Sequence, residues 1–115
     1  MSDGLDVKSR LVDDLAVVTT EGYINNTAAE SIAAECQKLV TKGAKKFVLN
    51  LEGSRIINSI GISILIEVIE KVRSDGGRVG FSNVTPTIAK TFKIMGLLNT
   101  STIYETEEEA IADVK

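Results

Sequence analysis

Phe47-Val48-Leu49-Asn50-Leu51, near the middle of the chain, is apolar at every position but one. A strand with one wet face alternates apolar and polar residues; this run does not. It predicts a strand buried on both faces. Such a strand lies inside a sheet with helices packed over it, as in an α/β domain.

The flanking sequence supplies the other elements. Leu5 to Leu11 alternates loosely, Asp13-Asp14 reads as a hairpin turn, and Leu15 to Thr20 is rich in β-branched residues. Gly22 and Asn25-Asn26 end that second strand. Thr27 with Glu30 fits a capping box for a helix running to about Thr41, with Ile32, Cys36, Leu39 and Val40 on its apolar stripe and Gly43 just past it. After the central strand, Glu52 to Arg55 is polar loop, and Ile56-Ile57 returns toward the core. Asn58 is an N-cap for a long helix from Ser59 to about Ser74, stopped by Gly76-Gly77. Arg78 to Phe81 is a short strand. Thr85 caps a helix with Pro86 at its first position and Gly96 at its exit. Thr102 to Tyr104 is an edge strand, and Thr106 with Glu109 caps a short acidic helix. The order is β-β-α-β-α-β-α-β-α: one hairpin plus crossovers, hence a mixed sheet in a single domain over residues 1–115.

Composition narrows the function. With no His there is no imidazole base and no His metal ligand, and Cys36 alone makes neither an internal disulfide nor a thiolate-rich zinc site. Thirteen Lys+Arg against 16 Asp+Glu leave a net charge of −3, and the pI is near 5.0, which argues against nucleic acid as a partner. The apolar run Ile64 to Ile66 is far short of a membrane span, and Met1-Ser2-Asp3 does not open a signal peptide. A cytoplasmic address without membrane insertion is expected.

The entrance to the long helix carries the candidate site. Ser59 falls in the first turn, where unpaired backbone N–H groups and the positive end of the helix dipole collect. A phosphate there gains donors, and the helix end favours it by about 0.3–1 kcal/mol. Ser59 is therefore either a modifiable hydroxyl that the fold tolerates in both states or an ordinary first-turn serine. Gly61 costs a helix about 1 kcal/mol relative to Ala. It reads as close approach by another backbone, as access for a partner, or as tight helix–sheet packing. Ser63, Glu67, Glu70, Lys71 and Ser74 form a polar stripe, and apolar residues cover the remaining arc of roughly 240°, where one-sided packing needs little more than about 100°. Ile60, Ile62 and Ile66, at the margins of that arc, are either exposed as a docking face or covered by a neighbouring helix.

Leu49-Asn50-Leu51, the loop, Asn58-Ser59-Ile60-Gly61-Ile62, Gly76-Gly77, and Thr85-Pro86 with Phe92 and Gly96-Leu97 together resemble the anti-sigma factor antagonists, which are stand-alone STAS domains. The resemblance covers nearly the whole chain, and Gly22-Tyr23-Ile24-Asn25 is similar to the Gly-Glu-Leu-Asp segment of that family. It implies a non-enzymatic regulator in a partner-switching system. Its partners would be an anti-sigma factor serine kinase, which brings its own ATP and Mg²⁺, and a serine phosphatase. It also implies that Ser59 is the phosphorylated residue, that Asn25, Asn58, Ile60, Gly61, Ile62 and Ile66 belong to the partner-binding surface, and that the chain needs no cofactor or metal.

Three positions depart from the pattern. The acidic residues that would border the serine are amides here, Asn25 and Asn58, and the second hydroxyl residue of the motif is Ile60. Asn still caps a helix, while the local field loses about two negative charges. These departures keep open an unmodified scaffold subunit of a larger signalling or transport assembly. An anion or nucleotide site at the helix entrance is a further reading. Enzymatic use of Ser59 would need a base, and Lys71 lies three turns away.

Overall fold

A computed structural model describes residues 6–115. Strands β1 (Asp6–Val12) and β2 (Leu15–Glu21) form the hairpin. Helix α1 (Asn26–Thr41), strand β3 (Lys46–Gly53), helix α2 (Ser59–Ser74), strand β4 (Arg78–Ser82) and helix α3 (Pro86–Ile94) follow. A 3₁₀ turn (Leu97–Asn99), strand β5 (Thr102–Tyr104) and helix α4 (Glu107–Val114) complete the chain. The sheet runs β1-β2-β3-β4-β5, antiparallel between the first two strands and parallel throughout the rest. The order of strands and helices is the one the sequence predicts. Leu5, the expected first residue of the first strand, lies outside the described residues.

The central strand is buried on both faces. Phe47, Leu49 and Leu51 join Ala16, Val18, Val79 and Phe81 in a core with α1, α2 and α3. Val48 points the other way, into a smaller cluster with Leu15, Val17 and two residues of α4. The period-two alternation of β-structure sorts these residues onto two faces. Phe81 meets Phe92 of α3 edge-on, with ring centroids 5.0 Å apart, a geometry that adds about 0.5–1.5 kcal/mol to the burial of the two rings.

Three local expectations are corrected. Helix α1 is capped by Asn25 rather than Thr27, because the Asn25 side chain accepts the Ala28 N–H at 2.9 Å; Thr27 is exposed within the first turn. Strand β3 continues to Gly53, and Ser54 just beyond it is fully buried rather than part of a solvated loop. Ile56 does not return to the core: it is 62% exposed, because only Ile57 turns inward to bridge Ile24.

Candidate functional site

The loop before α2 is stitched to the segment after β2. Gly22 donates its N–H to Gly53 O at 3.0 Å, Ile24 to Ile56 O at 2.9 Å, and Asn58 to Ile24 O at 3.1 Å. Ile24 and Ile57 form a parallel bridge. Beneath it, the hydroxyls of Thr20 and Ser54 share a hydrogen bond of 2.7 Å and are both buried. A buried hydroxyl pair of this kind is costly to break, since either partner left alone keeps its desolvation penalty. The loop is thereby fixed in place.

The bridge also sets the start of two helices. One residue past it on each segment stand Asn25 and Asn58, the N-caps of α1 and α2. Asn58 accepts the Gly61 N–H at 2.7 Å, as Asn25 accepts that of Ala28. Neither helix has an acidic residue in its first turn. Two positive helix ends thus lie together at the carboxyl edge of the parallel strands, with no nearby carboxylate of their own to offset them.

Ser59 is the first residue of α2 and is exposed. Its carbonyl accepts the Ser63 hydroxyl at 3.1 Å. Gly61 is buried two residues on, and a Cβ built there would come within 2.9 Å of Ile24 O and 3.2 Å of Asn58 Oδ1. Of the three readings of this glycine, close approach of another backbone is the one observed. The helix can seat against Ile24 only without a side chain at that position.

The apolar residues divide. Ile60 is 57% exposed, whereas Ile62 is 1% exposed and belongs to the main core. Ile66 is half-buried and packs against that core. Of the two readings of Ile62, cover by neighbouring elements is the one observed, and its place in the docking face is corrected: α1 and the sheet pack against α2, and Ile62 lies in the core they share. In its place are two residues that the sequence reading passed over. Tyr23 is 48% exposed, and the bridge register sets it beside Ile56. Period-two alternation around an inward Ile57 is the signal that would have turned Ile56 outward. Tyr23, Ile56 and Ile60 are exposed apolar residues on the two segments that meet at this bridge, which leads into the helix entrance carrying Ser59.

Other chemistry is sparse. Cys36 is buried in α1, and burial followed by the nearby Glu35 charge pushes its thiol up to about 12, so it is no nucleophile at neutral pH. Among the described residues no group of three or more His, Cys, Asp or Glu could hold a metal ion. No helix there is long and apolar enough to cross a membrane.

This architecture, a mixed sheet presenting a serine at the entrance of a helix on its main face, coincides with a known family. The family model of the STAS domain matches residues 6–110, and the chain belongs to that family. Relatives and solved structures named as anti-sigma factor antagonists are among the proteins it is similar to. It is 27% identical over 104 residues, 90% of each chain, to a Bordetella bronchiseptica protein named as anti-sigma factor antagonist BtrV. The crystal structure of an anti-sigma factor antagonist from Mycobacterium paratuberculosis superposes with a TM-score of 0.84 at 23% identity, covering 99% of this chain and 97% of that one. The Bacillus cell fate determinant SpoIIAA in its phosphorylated form gives 0.75 at 23% identity, covering 96% of this chain and 100% of that one.

Proposed function

We propose that this protein is a non-enzymatic, cytoplasmic antagonist of an anti-sigma factor, switched by phosphorylation of Ser59. The observation that carries the reading is the setting of that hydroxyl. It is exposed at a helix N-terminus, has no first-turn carboxylate beside it and follows a bridge whose two segments carry the exposed Tyr23, Ile56 and Ile60. A phosphate there meets helix-end N–H groups, so the fold accepts it. A partner packed against those apolar residues would instead have to desolvate a dianion, and the complex weakens. The switch therefore acts on the partner and leaves the fold alone.

The names of the relatives support this reading, as does the existence of SpoIIAA in unphosphorylated and phosphorylated forms on the same fold. The partners would be an anti-sigma factor serine kinase, supplying ATP and Mg²⁺ from its own site, and a serine phosphatase that resets the switch. Asn25, Asn58, Ile60 and Gly61 belong to the contact region through the helix entrances they build, joined by Tyr23 and Ile56. Ile66 would contribute only through its half-exposed edge, and Ile62 only as a support from beneath.

The test compares wild type with Ser59→Asp. The variant is expected to unfold within about 1 kcal/mol of wild type and to bind the anti-sigma factor more weakly. Unchanged binding with unchanged stability would overturn the switch. A second reading, an unmodified scaffold subunit, is favoured by Asn58 and Ile60, which depart from the acidic and hydroxyl residues of the phosphorylated motif. It predicts partner binding that kinase and ATP leave unaltered.

A further inference from the structure

Among the described residues, α4 covers the sheet face turned away from the main core, and the contact is of a different kind from that core. Leu15, Val17 and Val48 meet only Ala110 and Val114 of this helix, with Tyr104 and Ile111 at the margin. No residue of α4 enters the larger cluster among the described residues. The helix is held largely at its two ends. At the first, Glu107 accepts from Arg10 of β1 at 2.8 Å and from the largely buried Asn50 of β3 at 3.0 Å. At the second, Arg78 of β4 donates to Asp113 O at 3.0 Å, and Tyr104 of β5 hydrogen-bonds the Asp113 carboxylate.

The seat between those ends is shaped for the helix. A Cβ built on Gly80 of β4 would lie 2.8 Å from Tyr104 and 2.9 Å from Val114. Gly weakens a strand interior, so its presence there fits the close approach of α4. The connection to β5 is only Glu105-Thr106.

We infer that α4 is a strap that opens separately from the rest of the fold, with the Glu107 contacts to Arg10 and Asn50 as its latch. Local opening follows low apolar burial and a dependence on partly solvated polar contacts, and α4 has both. The groups in contact with Glu107 are Arg10 and Asn50, and Lys8 lies two residues along β1 on the Arg10 face. Glu108 and Glu109 on α4 itself are exposed. The Arg10 and Asn50 hydrogen bonds hold the Glu107 carboxyl below its ordinary range. Opening would uncover Leu15, Val17 and Val48, an apolar strip on the far side of the sheet from the main core.

Hydrogen–deuterium exchange on the full chain at neutral pH tests this. In wild type the amides of α4 should exchange faster than those of β3 and α2. Glu107→Gln should raise exchange in α4 about tenfold, the equivalent of weakening one charge-assisted hydrogen bond, with β3 and α2 unchanged. Gly80→Ala, which obstructs the seat, should do the same. Should that variant fail to fold, Glu107→Gln decides alone. Exchange of α4 in step with β3 in wild type, or an equal rise in all three elements in Glu107→Gln, would overturn the strap.

Discussion

Asn25 and Asn58 stand side by side, each one residue past the Ile24–Ile57 bridge, and each opens a helix by accepting the backbone N–H three residues on. One backbone pairing thus fixes two helix entrances at once. The amides keep the capping geometry while leaving both helix ends without a compensating charge.

Replacing either cap by Ala should therefore lower stability by about 0.5–2 kcal/mol. The double variant should depart from the sum of the two, because the sites share the bridge. Asn25→Asp and Asn58→Asp keep the acceptor and should match or exceed wild type by about 0.3–1 kcal/mol, since a carboxylate suits a helix N-terminus. Urea unfolding of the four single variants and the double Ala variant checks the set.

Gly61→Ala should destabilise by about 1–3 kcal/mol, although Ala is the better helix former, because the added methyl meets Ile24 O at 2.9 Å. Thermal unfolding reads the sign directly. A gain in stability would mean that the helix entrance has room the geometry denies.

Ile56→Ser and Ile60→Ser should leave stability within about 0.5 kcal/mol, since both side chains are mostly in solvent. Both should weaken binding to the anti-sigma factor. Ile62→Ser is the contrast: a buried polar substitution there should cost about 2–5 kcal/mol of fold stability. Titration calorimetry beside unfolding curves separates the two effects.

Much of this was legible in the chain. Phe47 to Leu51 declared its two buried faces, and Asn58, Thr85 and Thr106 each marked a helix start where one occurs. What escaped depended on contacts between distant segments. Thr27 and Asn25 are equally good caps by composition, and the bridge between Ile24 and Ile57 selects Asn25. Ile56 and Ile57 look alike in sequence, yet that bridge turns one inward and leaves the other out. The exposure of Ile62 could not be read from an arc on a helical wheel, because α1 and the sheet cover more of α2 than one-sided packing would. Ser54 read as loop because nothing local shows that Thr20 waits to receive its hydroxyl.

Acid should loosen the fold through Glu107. Its carboxyl is held below the ordinary value of 4.5, chiefly by the Arg10 hydrogen bond and then by Asn50. A depressed carboxyl stabilises the folded state above the unfolded-state value, and that contribution is lost as pH falls through the folded-state value. Wild type should thus lose more stability than Glu107→Gln as pH drops from 7 to below about 4, by about 1 kcal/mol given the partly solvated pair. Parallel pH–stability curves for the two proteins would refute the assignment.

The most direct test of the proposed switch is the intact mass of the protein after incubation with its anti-sigma factor kinase and ATP. Wild type should gain one phosphate and Ser59→Ala none, with the modified protein still folded and released from its partner. A phosphate that still appears on Ser59→Ala, or a wild-type chain that gains none while remaining bound, would contradict the account.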